Sequence, residues 1–306
     1  MDFGLSEEQR QLKDSARAFL GGECPTPVLR KIMAGEDGYP RELYAEIAKL
    51  GWSGLIVPEE FGGAGLGMLD MAMILEEGGY AAMPGPFLFS SVLAASALKF
   101  GGAKELNSKW LAPLAEGKAI GTVAVVESAG SIEAVDIATV ASKDGAGWRL
   151  DGTKMFVPYA NVADFVVVAA RNEADEILLF VVDTKSPGVT VRSLKNLDLT
   201  RRVSSVELKD VPAEALRGGA DLFANLIDVA AVAIAADSLG GTERALEMAV
   251  EYSKVREQFG KPIGSFQALK HAAAEIVADL EPARALVWYA AHGAGENSSR
   301  AASEAE

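Results

Sequence analysis

The chain has very little of what metal and thiol chemistry needs: one cysteine, Cys24, and two histidines, His271 and His292, in 306 residues. A single cysteine rules out an intrachain disulfide, and no Cys or His spacing matches a metal site, so no metal is expected. Basic charge is scarce as well. With 29 Lys and Arg against 43 Asp and Glu, the formal net charge is -14. A surface that binds nucleic acid needs clustered cations to neutralise phosphates, so nucleic acid is excluded as a partner, whereas a nucleotide held by a few converging basic groups is not. Long uncharged apolar runs are also missing. The most apolar stretch, Leu222 to Leu239, carries Asn225, Asp228 and Asp237, which argues against a membrane span. Residues 1–18 lack the apolar core of a signal peptide, and Asp2, Glu7 and Glu8 argue against a transit peptide, so a cytoplasmic location is expected.

What remains is an ordinary globular composition, 49% hydrophobic and 24% charged, long enough for two or three domains. Ser6-Glu-Glu-Gln opens an N-capped helix whose apolar face is Leu12, Ala16, Phe19 and Leu20. A second helix follows Pro40 with Leu43, Ile47 and Leu50. Met68 to Ala82, Phe87 to Phe100 and Ala103 to Leu114 read as further helices, with Gly78-Gly79 and Pro84-Gly85-Pro86 as punctuation. Between them, Gly62, Gly63, Gly65 and Gly67 after Pro58 predict a tight loop where backbone approaches backbone or ligand.

After Lys118 the period changes. Ile120 to Val126, Asp136 to Ser142, Gly147 to Gly152, Phe165 to Arg171, Glu176 to Asp183, Val189 to Arg192 and Ser204 to Leu208 are short β-branched segments bounded by turn residues. They predict a small antiparallel barrel or sandwich. From Leu222 the chain is helical again, and Phe266, Leu269, Ala273, Ile276 and Leu280 form a seam expected to be core, with a kink at Pro282. The expected fold is thus α+β and multidomain: an N-terminal helical bundle over 1–118, a middle β domain over 119–221, and an incomplete C-terminal helical bundle over 222–306.

The stretch richest in chemistry is Tyr252 to Gln267. A helix carrying Leu246, Ala249 and Val250 reaches Arg256, breaks at Gly260, Pro262 and Gly264, and restarts at Ser265, a good N-cap residue. The corner gathers a guanidinium, the Phe259 ring and the amides of Gln258 and Gln267. A planar fork of donors beside a stacking surface suits a phosphorylated aromatic ligand such as a dinucleotide.

Arg256, Phe259, Gly260, Ile263 and Gln267 together resemble the Arg-x-x-Phe-Gly-x-x-Ile-x-x-x-Gln segment of the acyl-CoA dehydrogenase family. Val57-Pro-Glu-Glu-Phe-Gly-Gly-Ala-Gly65 is similar to a loop of the same family, and Gly147 to Pro158 resembles its hairpin beside the flavin, with Asn161-Val-Ala-Asp164 continuing the match. The resemblance implies FAD as cofactor and an acyl-CoA thioester as substrate. It also implies an electron-transferring flavoprotein as acceptor and a homo- or hetero-oligomer in which Arg256, Phe259 and Gln267 reach the flavin of a neighbouring subunit. Val126, Ser131, Phe156 and Pro158 are the positions it places beside the flavin on the β side.

The chain also departs from the family pattern. Where members show Thr-Glu-Pro and then Gly-Ser-Asp, it has Val126-Glu127-Ser128 and Ala129-Gly130-Ser131-Ile132, one residue shorter; where they show Trp-Ile-Thr, it has Phe156-Val157-Pro158. Valine and proline offer no side-chain donor to a flavin. Of the family's two places for the carboxylate base, one falls at Ala230, with Ala231 beside it where Arg is common, and the other lies beyond Glu306. Asp228, Glu304 and Glu306 are poor substitutes by position, so the catalytic residue is unassigned. Three readings stay open: an acyl-CoA dehydrogenase subunit whose base lies outside these residues, a partner subunit without turnover of its own, or an oxidase or monooxygenase on the same fold. The Phe-Val-Pro segment is similar to the branch that forms mixed tetramers in steroid side-chain degradation.

Overall fold

The computed structural model describes residues 5–145 and 147–294. Two compact units divide the chain, one built from Thr26–Gly67 and Pro84–Ala230, the other from Met1–Pro25, Met68–Met83 and Ala231–Glu306.

The first unit starts with helices α2 (Thr26–Ala34) and α3 (Arg41–Lys49), which follow α1 (Glu7–Glu23) of the other unit. The glycine-rich loop comes next. Gly62 and Gly65 take φ of 82° and 65°, and the amides of Ala64, Gly65 and Leu66 donate back to the carbonyls of Gly54, Val57 and Leu55. A Cβ on Gly63 would meet the Val57 carbonyl oxygen at 2.1 Å, so here backbone closes on backbone. After α4 (Met68–Tyr80), which belongs to the second unit, a π-helical stretch Leu88–Ala94 continues into α5 (Ala95–Gly101) and then α6 (Lys104–Ala115).

Seven strands follow: β1 (Gly121–Ala124), β2 (Val140–Asp144), β3 (Gly147–Pro158), β4 (Phe165–Arg171), β5 (Ile177–Asp183), β6 (Val189–Ser193) and β7 (Val203–Ala215). Their order is β1-β4-β2-β3-β7-β5, and β5 also pairs with β4, which closes the sheet on itself, while β6 lies on β7. Most pairings are antiparallel, as expected. The exceptions are β1 and β4, which run parallel with Gly121 opposite Phe165, and a single parallel bridge from Val140 to Arg171. Parallel neighbours need a long crossover, and the whole β2–β3 hairpin supplies it. The predicted strand Asp136 to Ser142 is shorter at its start because Ala134–Asp136 forms a 3-10 turn. Strand β4 reads Phe-Val-Val-Val-Ala-Ala with every one of these residues buried, as a strand covered on both faces should. Val166, Val168 and Ala170 point into the barrel core with Phe180, Val182, Val206 and Leu208, while Phe165 packs on Trp110, ring centroids 5.0 Å apart.

The second unit contains α1, α4 and most of α7 (Gly219–Val255). It also holds the short hairpin β8 (Glu257–Gln258) and β9 (Lys261–Pro262), and α8 (Gln267–Gly293). Ser6 caps α1 in a reciprocal capping box with Gln9. Gly78 and Gly79 do not interrupt α4 but lie inside it. Helix α7 is long and apolar enough to cross a membrane by length and composition alone, yet 44% of its apolar window is buried inside the protein. Two expectations about α8 fail. Ser265 closes a 3-10 turn and Phe266 takes the N-cap position without a side-chain cap. The predicted seam is not core: Leu280 is buried, but Leu269 and Ile276 are 44% and 42% exposed, so that face lacks cover among the described residues.

Candidate functional site

On the β side, the site begins where the loop after β1 meets β3. Glu127 is buried, and its carboxylate accepts from four donors: Lys154 Nζ at 2.6 Å, Thr139 Oγ1 at 2.7 Å, and the amides of Ala138 and Thr139 at 2.9 and 3.0 Å. Lys154 is fully buried and also donates to the Val125 carbonyl at 3.1 Å. Burial alone would push the Glu127 carboxyl up, but the hydrogen bonds from Lys154 and Thr139 outweigh it and hold it below the usual carboxylate range. Next to this pair the Met155 amide donates to the Val126 carbonyl at 2.8 Å.

Phe156 follows at φ 54°, inside a register shift between Lys154 and Val157 where β3 bulges against β7, and its ring is 54% exposed. The bulge turns an aromatic side chain out of the sheet that regular alternation would have placed inside. Pro158 is half-buried, and its carbonyl accepts from Thr122 Oγ1 at 2.5 Å. Directly after the strand comes buried Tyr159, whose phenol donates to the Thr200 carbonyl at 2.7 Å and accepts from the Gly85 amide at 2.9 Å. The structure therefore joins Val126 to the Phe156 bulge. Ser131 is turned to its own loop, its Oγ accepting from the Glu133 amide at 3.0 Å.

The second cluster belongs to the other unit. Helix α7 ends at Val255, and Glu257 and Gln258 pair with Pro262 and Lys261 across a two-residue turn of Phe259 and Gly260, at φ 56° and 76°. Two left-handed residues at the tip of a hairpin match the twist of its strands, but for phenylalanine the conformation is strained. The Phe259 ring is 88% exposed and meets Phe266 edge-on at 6.1 Å. The Arg256 backbone is fixed, its amide donating to Tyr252 and its carbonyl accepting from Ile263. Its guanidinium is exposed and forms no ion pair among the described residues. Gln267, also exposed, is the first residue of α8.

Residues 6–118 match the acyl-CoA dehydrogenase N-terminal domain, residues 122–211 its middle domain and residues 217–305 its C-terminal domain. The acyl-CoA dehydrogenase FadE27 of Mycobacterium tuberculosis is 33% identical over 300 residues, covering 97% of this chain and 79% of that protein. The chain belongs to the acyl-CoA dehydrogenase family. Among solved structures, the ChsE4-ChsE5 complex from Mycobacterium tuberculosis superposes with a TM-score of 0.91 at 31% identity, over 100% of this chain and 83% of that one. The Tcur3481-Tcur3483 steroid ACAD gives 0.90 at 33% identity, over 98% and 81%. A glutaryl-CoA dehydrogenase from Mycobacterium smegmatis, solved in complex with FADH2, gives 0.86 at 25% identity, over 98% and 80%. The acyl-CoA dehydrogenases are oxidoreductases acting on CH–CH bonds, and members of the family bind FAD.

For this member, the exposed guanidinium and ring at the Arg256–Phe259 corner fit an anionic, aromatic group presented from outside the chain, so the residues present suit a flavin nucleotide. At the place that the resemblance gives to the carboxylate base, the residues present supply none. Ala230 and Ala231 carry no titratable group, and Asp228 is half-buried on α7 with burial pushing its carboxyl up. His271 and His292 are both exposed, and no group of His, Cys, Asp or Glu among the described residues could hold a metal. Sequence reasoning missed the Glu127–Lys154 pair although both residues lie in the motifs it used. The signal was there: Leu150 and Lys154 are an even number of residues apart on one strand, so the lysine had to share the inward face.

Proposed function

We propose that this chain is a subunit of an FAD-dependent acyl-CoA dehydrogenase that forms the α,β double bond of a CoA thioester and passes its electrons to an electron-transferring flavoprotein. The observation that carries this reading is the Arg256–Phe259 corner, where an exposed guanidinium with no ion pair among the described residues precedes a hairpin whose strained tip turns the Phe259 ring outward. In this reading Arg256, Phe259 and Gln267 would hold the FAD of a neighbouring subunit, Arg256 offering charge and Phe259 an apolar face to it. Val126, Ser131, Phe156 and Pro158 line the flavin on the β side. When bound, FAD would take the hydride from the β carbon of the substrate. The chain's own part would be to orient that ring and exclude water from it; Val126 has only its backbone N–H to donate, and Pro158 has no donor at all. The protein is read as soluble and cytoplasmic, with domains over 1–118, 119–221 and 222–306.

Ala230 and Ala231 favour a second reading, a partner subunit whose proton acceptor comes from a different, catalytic chain. An assembly of two differently named chains, as the ChsE4-ChsE5 complex is, would accommodate it.

The test is the absorption spectrum of the purified protein between about 350 and 500 nm, followed by anaerobic addition of an acyl-CoA mixture. Bleaching of a flavin spectrum supports the dehydrogenase. Flavin that stays oxidised until a homologous chain is added supports the partner subunit. A protein that stays colourless when FAD is supplied overturns the catalytic reading and leaves the partner subunit standing.

A further inference from the structure

We infer that Glu127 and Lys154 are positioning residues, a buried clamp that holds the Val125–Val126 loop and the Phe156 bulge in register with one another at the flavin pocket; this rests on the dehydrogenase reading above. Three segments distant in sequence converge on one carboxylate: its own loop, strand β3 through Lys154, and the Ala138–Thr139 approach to β2. Lys154 ties the same strand to the Val125 carbonyl at 3.1 Å, and the neighbouring Met155 amide ties it to Val126 at 2.8 Å.

The next residue after these ties, Phe156, stands at φ 54° with its ring outside the sheet. A left-handed phenylalanine persists only where its surroundings fix it. The clamp supplies that fixing on the N-terminal side and Tyr159, bound to Thr200 and Gly85, on the C-terminal side. A buried ion pair is weak evidence of stability in itself, since an apolar pair of the same volume would hold a barrel together at lower desolvation cost. What a lysine and glutamate add is direction. Lys154 reaches a backbone carbonyl and Glu127 reaches two backbone amides, so the pair fixes where the loop's backbone runs.

The experiment uses the purified chain with FAD added, comparing wild type, Glu127→Gln and Lys154→Met. Glu243→Gln, which breaks ion pairs with Arg17 and Arg284 in the other unit, is the control for simple loss of stability. Three quantities are read: the melting temperature, the FAD dissociation constant and the flavin absorption band, with amide exchange over residues 125–131 and 155–157 as a reading that needs no flavin. The clamp predicts faster exchange in both segments together, an FAD dissociation constant raised about tenfold in either variant, and a displaced flavin band, while the control melts lower and binds FAD as wild type does. Variants that melt lower but keep wild-type exchange, affinity and spectrum overturn the clamp and leave the dehydrogenase reading standing. A wild-type chain that takes up no FAD overturns that reading and the clamp's purpose together.

Discussion

Gly79 of α4 and Gly240 of α7 are reciprocal: a Cβ on Gly79 would sit 1.7 Å from the Asp237 carbonyl oxygen, and a Cβ on Gly240 would sit 1.7 Å from that of Glu76. The two helices cross backbone to backbone, which only hydrogen at both positions permits. Gly240→Ala must push the helices apart along their whole contact, so a loss of about 3 kcal/mol is expected, at the upper end for overpacking. Urea denaturation of the variant measures it. An unchanged midpoint would mean that the crossing relaxes freely.

The same crossing brings charges together. Glu76 and Glu77, both buried, meet Lys13 and Arg17 from α1 and Arg284 from α8, and Glu243 bonds to both arginines. With the exposed Glu281, 3.5 Å from Arg284, four acids meet three bases, and the network ties α1, α4, α7 and α8 together. Arg284→Met leaves Glu76 short of a partner in an interior site, and a cost of about 3 kcal/mol is expected. In a double-mutant cycle with Glu243→Gln the two losses should add to more than the double variant shows. Strict additivity would show that the arginine and the glutamate act separately.

Acid should unfold the protein through these carboxylates. Burial pushes the Glu127 and Glu243 carboxyls up, but hydrogen bonds from Lys154 and Thr139 in one case, and from Arg284 and Arg17 in the other, bring both below their ordinary value. A carboxyl with a depressed folded pKa binds protons less readily than in the unfolded chain. Its contribution is therefore complete above the ordinary pKa of about 4.3 and is lost as pH falls through the folded value. Melting curves from neutral pH down to about 3 should show a steep fall in the acid range, shallower in Glu127→Gln. Equal slopes in wild type and variant would remove Glu127 from the account.

The helical and β segments were legible because their periods differ, and the glycine loop because Pro58 and four glycines leave few alternatives. The parallel pairing of β1 with β4 was not, since strand direction depends on a crossover that local pattern does not encode. Leu269 and Ile276 misled for a related reason: an apolar stripe does not by itself say that this chain covers the face. At the candidate site the Arg256 corner was readable as a cluster of residue types. The bulge at Phe156 and the left-handed turn at Phe259 were hidden, because nothing about phenylalanine announces a positive φ.

That turn gives the sharpest prediction. Phe259 occupies a left-handed conformation that costs a non-glycine residue about 1 to 2 kcal/mol, and its ring, 88% exposed, recovers little of this from packing. Phe259→Gly should therefore leave the chain without cofactor at least as stable as wild type, an uncommon result for removing an aromatic side chain. The same substitution takes away the stacking surface, so FAD affinity should fall about tenfold. Arg256→Lys should weaken binding as well without changing the melting temperature, because an ammonium cannot reproduce the guanidinium fork. Thermal melts of the chain without flavin, beside FAD titrations followed by absorbance, separate the two effects. Loss of stability together with unchanged affinity in Phe259→Gly would make the ring a structural plug and remove the corner from the flavin site.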